Sequence, residues 1–263
     1  YGFKLTFQSV IDIGGAALLI DLIVVSLTIL LGAGLGRLLK MDRDTALLTS
    51  IGSSICGAAA VLGAEPVVKS KPYKAAVAVS TVVIFGTLSM FLYPALYRAG
   101  MLNLTTEQMG LFTGATLHEV AHVVGAGNAM GQAISDPAII VKMIRVMMLA
   151  PVLVILSIIL SRREAAAGQT GQKRKITIPW FAFLFLAVIG FNSLHLLPSG
   201  VVSAINSLDT FLLTMAMTAL GAESSFEKFK KAGARPFLLA ALLYAWLFFG
   251  GYWLVKGMTA WMA

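Results

Sequence analysis

The stretch His118-Glu119-Val120-Ala121-His122 places three ionisable side chains inside an otherwise apolar run. Its H-E-x-x-H spelling admits two chemistries. On a helix, histidines four apart share one face and can hold zinc while the glutamate activates a bound water, as in a metalloprotease. Such an enzyme in a membrane needs a third ligand, commonly an Asp from a later apolar segment. Asp136 in "SDPA" and Asp209 in "LDTF" are the candidates, and neither has the setting those proteases use. The other chemistry is ion or proton traffic, because ionisable groups inside a membrane face a cavity or one another. Imidazole titrates near pH 6.5, which suits it to coupling solute movement to protons. His118 and Glu119 are the proton-coupling candidates. Plain hydrogen bonding to neighbouring helices is a third reading, and for His122 it weighs as much as a functional one.

A second cluster lies at Gly52–Val61, "GSSICGAAAV". Ser53, Ser54 and Cys56 offer small donors, and Gly57 lets backbone approach a ligand closely. If a half-helix begins here, its free N–H groups and dipole favour an anion. The alternative is a small-residue packing face without a ligand. Arg145, with Lys142 one turn before it, suits an anion's counter-charge, or pairs with a carboxylate such as Glu119 or Asp136. Asp21, within the first apolar run, is a cation or proton site or a partner for these bases. Substrate-binding candidates are therefore Ser53, Ser54, Cys56, Gly57, Thr116 and Arg145. One cysteine, Cys56, excludes an internal disulfide and any cysteine-based metal cluster. No Gly-rich nucleotide loop is present, so no cofactor and no ATP-driven pumping are expected.

The elements that must position these residues follow from composition. Of 263 residues, 58% are hydrophobic and 12% charged, and mean hydropathy is +0.87. Soluble domains carry roughly 25% charged residues, so an ordinary soluble globule is excluded. The formal charge of +8 comes from basic residues clustered between apolar runs, which marks cytoplasmic loops rather than a nucleic-acid surface. A spanning helix needs about 20 apolar residues. Eight segments qualify or nearly so: Ile13–Leu39, Ala46–Ala64, Ala75–Tyr97, Met109–Ala129, Pro137–Leu160, Ile178–Leu197, Ile205–Ala222 and Pro236–Lys256. The expectation is one all-α, polytopic transmembrane domain over residues 1–263, with a basic linker at 161–177 between two helical parts.

Loop charge then sets orientation. The loops holding Lys69, Lys71 and Lys74, then Arg162 and Arg163, then Lys228 and Arg235, should be cytoplasmic. With that assignment, Met109–Ala129 begins and ends outside, and Ala46–Ala64 begins and ends inside. Both are dense in Gly, Ala, Ser and Thr, as broken or re-entrant segments lining a transporter site are. Flipping the Lys69–Lys74 loop instead lets both cross fully.

Four blocks, "GSSICGAAAVLGAEPVVKS", "VVIFGTLSMFLYPALY", "FTGATLHEVAHVVGAG" and "AIIVKMIRVMMLAPVL", together resemble the YeiH family of bacterial inner-membrane proteins, described as sulfate exporters. The resemblance runs through nearly the whole chain. It implies a multi-pass secondary transporter of about ten helices, with further apolar segments before the point matching Tyr1. It also implies that glutamine often replaces His122, which weakens the zinc reading and leaves His118 and Glu119 as the better functional candidates. The expected function is therefore export of a small anion, such as sulfate or a related sulfur oxyanion, by a proton-coupled carrier. The alternative is an intramembrane zinc metalloprotease. The expected partners are the anion, the lipid bilayer and further copies of the chain.

Overall fold

The computed structural model describes residues 2–4, 6–12, 15–166, 180–223 and 233–262, and among them there are helices and turns but no strand. After a 3-10 turn at Gly2–Lys4 come α1 (Phe7–Asp12) and α2 (Gly15–Leu38), then a broken pair, α3 (Arg43–Ser54) and α4 (Ala58–Val68). Next come α5 (Pro72–Arg98) and a second broken pair, α6 (Thr106–Thr116) and α7 (Val120–Met130). The chain continues through α8 (Gln132–Met147), α9 (Leu149–Ala166), α10 (Trp180–Ser193) and α11 (Ser199–Glu223). It ends in α12 (Ala234–Ala245), a π-helical turn at Trp246–Gly250 and α13 (Gly251–Met262). Among the described residues, four stretches are long and apolar enough to cross a membrane: Gly15–Leu38, Pro72–Arg98, Gln132–Arg162 and Ala234–Trp261. The linker expected at 161–177 begins as helix, since α9 runs on through Ala166; residues 167–177 lie outside the described residues.

Bonds between element ends give the topology. At one face Lys74, in the first turn of α5, meets Asp42 at 2.8 Å and Asp44 at 2.7 Å, at the start of α3. Arg235, opening α12, donates to the Lys40 carbonyl at the same face. At the other face Arg98, closing α5, donates to the Ala129 carbonyl near the end of α7. Gln108, opening α6, donates there to Thr259 of α13. Hence α3 and α4 leave and return at the basic face, and α6 and α7 leave and return at the opposite one. Their arms of 12, 11, 11 and 11 residues are each about 17 Å long, roughly half of a 30 Å hydrocarbon core. Both broken pairs are therefore helical hairpins, entered from opposite faces, whose tips reach the middle of the bundle.

Small residues permit the close contacts this requires. A Cβ on Gly32 of α2 would sit 2.0 Å from Ser50 Oγ, and one on Gly114 would sit 2.4 Å from the Ala138 carbonyl oxygen. Lipid supplies no hydrophobic drive between helices, so such contacts carry the packing. The second hairpin is also held by aromatics: Tyr93 of α5 stacks on Phe112 at 4.8 Å, and Phe248 meets both rings edge-on. The π turn places Trp246, whose indole N–H donates to Thr28 of α2 at 3.0 Å.

The mouth of the first hairpin carries a pH-dependent clamp. Burial pushes the Asp42 carboxyl up, but hydrogen bonds from Lys74 and Thr45 outweigh it and hold the group below its usual range. A depressed carboxyl stabilises the fold above its unfolded pKa, and the contribution disappears as the pH falls below about 4. Because Asp42 is half-exposed, the effect is about 0.5 kcal/mol. The melting temperature of Lys74→Met should therefore lie slightly below wild type at pH 7, with the gap closing near pH 3. A gap that persists at pH 3 would mean that the clamp does not act through this carboxyl.

Candidate functional site

The two tips meet. α3 ends at Ser54 and α4 begins at Ala58, leaving Ile55–Gly57 as the first break; α6 ends at Thr116 and α7 begins at Val120, leaving Leu117–Glu119 as the second. Each break exposes a half-helix C-terminus with unpaired carbonyls and a half-helix N-terminus with unpaired N–H groups. In hydrocarbon each orphan costs several kcal/mol, so the protein must supply partners.

α8 supplies them for the carbonyls. Lys142 Nζ donates to the Ile55 carbonyl at 2.6 Å and to the Leu117 carbonyl at 2.7 Å, one from each break. Arg145, one turn on, donates to Ser54 at 2.6 Å and Ser53 at 3.4 Å on the first hairpin. On the second it reaches Gly114 at 3.3 Å, Leu117 at 3.5 Å and, more closely, Ala115. The guanidinium carries five donors in a fixed fork against three on an ammonium, so it can serve more carbonyls of both hairpins at once. Both cations are fully buried, and charge-assisted bonds of this kind are roughly twice as strong as neutral ones. Asp21 of α2, also fully buried, faces Arg145 Nε at 3.8 Å, and neither of its oxygens accepts a hydrogen bond.

One N-terminus is capped by the opposite hairpin. Glu119 Oε1 accepts the Ala58 N–H at 3.0 Å, across 61 residues of sequence. Gly57 makes room: its φ is +72°, and a Cβ there would lie 2.2 Å from Glu119 Cγ. Glu119 Oε2, both ring nitrogens of His118 and the Ser53 hydroxyl are buried without a hydrogen-bond partner. Among the described residues the buried charged side chains are Asp21, Glu119, Lys142 and Arg145, and all four converge on this crossing.

The expected site residues therefore come together, in differing roles. Ser53, Cys56, Gly57, His118 and Glu119 line the crossing. The Ser54 hydroxyl donates to the Ile51 carbonyl on its own helix. That of Thr116 donates to the Phe112 carbonyl and pairs with Tyr93 OH at 3.0 Å. Arg145 is occupied by peptide carbonyls rather than standing free for an anion. The zinc geometry is not formed: the chain is broken at His118 and Glu119, so the two histidines do not share a helical face. His122 lies on α7 against Gly86 and Thr87 of α5, whereas the His118 ring stands 6.4 Å from that of Tyr244 on α12. Among the described residues no group of three His, Cys, Asp or Glu is placed to hold a metal ion. Tyr93, Gly86 and Tyr244 escaped the sequence reading, since an aromatic or glycine within an apolar span carries no distinguishing pattern.

Crossed, broken helical hairpins with buried charges at their junction define a multi-pass, all-α membrane protein. The chain belongs to the family described as Conserved hypothetical protein 698, whose model matches residues 1–240. It is 66% identical over 263 residues to a UPF0324 membrane protein of Bacteroides thetaiotaomicron, covering all of this chain and 78% of that protein. A UPF0324 membrane protein of Bordetella bronchiseptica is 52% identical over 261 residues, 98% of this chain and 81% of its own length. The UPF0324 inner membrane protein YeiH of Escherichia coli K12 is 50% identical over 252 residues, 95% of this chain and 72% of its own. No solved structure matches. The resemblance to the YeiH family thus holds, and with it a bacterial inner-membrane location.

Proposed function

We propose that the protein is a secondary transporter that exports a small anion, such as sulfate or a related sulfur oxyanion. One observation carries this reading: the buried charges and all four half-helix ends lie at a single point in the middle of the bundle. Discontinuous helices meeting at mid-membrane are how secondary transporters build substrate sites, with half-helix N-termini directed at anionic groups. The N-termini of α4 and α7 serve here, together with the Ser53 hydroxyl and the Gly57 backbone. Lys142 and Arg145 neutralise the opposing C-termini, so the carbonyl dipoles do not repel the anion. Glu119 takes up and releases the proton as access alternates, and His118 relays it between Glu119 and the open side.

The test is uptake of radiolabelled sulfate into proteoliposomes of the full-length protein, with and without an imposed pH gradient. Saturable uptake, competed by sulfite or thiosulfate and responsive to the gradient, is the expected result. His118→Gln should lower flux several-fold and flatten its pH profile. Folded protein that moves none of these oxyanions removes the reading.

A further inference from the structure

The N-terminus of α4 already holds a carboxyl oxygen, and the protein itself provides it. The Ala58 N–H points at Glu119 Oε1 at 3.0 Å, where a helix start favours negative charge. Gly57 leaves the space that the carboxyl occupies. The second oxygen, Oε2, is buried and accepts nothing; His118 of the same break and Ser53, in the last turn of α3, are also buried and unpartnered. A side chain whose only task was to cap a helix would be expected to satisfy both oxygens, because an unpaired buried acceptor is costly. This carboxyl is only half-bound.

We propose that Glu119 is a tethered occupant of the oxyanion site, displaced by the substrate and protonated as it leaves. The proposal rests on the anion-transport reading and specifies how the coupling works. On binding, the Ala58 N–H···Oε1 bond breaks and an N–H···oxyanion bond forms in its place. The released carboxylate has lost its only hydrogen-bond donor within a buried region, so it takes one proton from the open side. One carboxylate charge leaves the helix end as the oxyanion arrives, and one proton accompanies each anion. When the anion departs, the proton is released and Glu119 returns to Ala58.

Other ionisable groups face this one. Lys142 and Arg145 approach from α8, and Cys56 from the first break. His118 precedes Glu119, His122 follows on α7, Tyr244 of α12 stands beside His118, and Asp21 of α2 lies behind Arg145. The lysine and arginine are engaged by carbonyls, which leaves the histidines as the main rival proton carriers.

Calorimetric titration of full-length protein with inorganic sulfate, in two buffers of different ionisation enthalpy, counts the protons taken up on binding. Wild type should take up close to one per anion. Glu119→Gln keeps an oxygen acceptor for Ala58 and should fold, as its melting temperature will report. It should bind sulfate roughly tenfold tighter, since a neutral amide holds the N–H less strongly than a carboxylate, and take up no proton. Its flux should lose dependence on the pH gradient. Proton uptake that survives in Glu119→Gln, or that vanishes instead in His118→Gln, overturns the proposal. So does wild-type binding without proton uptake, although that leaves anion transport standing. Wild type that binds no sulfate and moves no sulfur oxyanion defeats the underlying reading, and this proposal with it.

Discussion

Arg145→Met should be the most damaging single substitution in the protein. Methionine fills much of the space, but it leaves the carbonyls of Ser53, Ser54, Gly114 and Ala115 without their donor. It also leaves Asp21 facing no guanidinium. Removing one member of a buried ionic group costs about 3–5 kcal/mol, a large part of the roughly 5–15 kcal/mol that separates folded from unfolded states. Melting temperature should fall on the order of 10 °C, and sulfate flux should be lost. Arg145→Lys keeps the charge but has three donors instead of five, so it should leave some of these carbonyls unpaired and cause a smaller loss than Arg145→Met. A variant with methionine that melts with wild type would show that the tips hold together without the arginine.

The second large effect belongs to Gly57. With φ at +72°, any side chain there is strained, by about 1–3 kcal/mol. A Cβ would also lie 2.2 Å from Glu119 Cγ and 2.7 Å from its Oε1. Gly57→Ala should therefore push the carboxyl off the Ala58 N–H and reduce flux more than tenfold, with a lower melting temperature. The double variant Gly57→Ala, Glu119→Ala relieves the collision but not the backbone strain. It should be more stable than the sum of the two single changes predicts, because residues in contact do not act additively. Additive losses would mean that Gly57 and Glu119 do not touch.

Much of this architecture is legible in the sequence, and the reasons are physical. The spans declare themselves because a bilayer fixes their length, and the hairpins because buried backbone needs small neighbours. The loop lysines give the face of entry: Lys69, Lys71 and Lys74 put the first hairpin on the basic side, where Asp42 and Asp44 meet Lys74. The site is less legible. Arg145 and Lys142 can be singled out as buried cations, but their partners are peptide carbonyls, which every residue possesses and no spelling reveals. The H-E-x-x-H letters suggest one continuous helix. Nothing in those letters marks the extended conformation of Leu117 and Glu119 that breaks it. The capping of Ala58 by Glu119 joins residues 61 apart, and only the folded crossing brings them together.

The opposed entry of the hairpins has an electrical consequence. Within each hairpin the two arms run antiparallel, so their macrodipoles largely cancel along the membrane normal. At the centre, two positive and two negative helix ends form a quadrupole, and the buried acids Asp21 and Glu119 formally balance Lys142 and Arg145. Such a field is strong within a few ångströms and fades rapidly beyond. A transmembrane voltage, worth about 2.3 kcal/mol per elementary charge at 100 mV, therefore finds little net charge to pull on in the resting protein. Voltage dependence would enter only with the cargo and any uncompensated proton that travels with it.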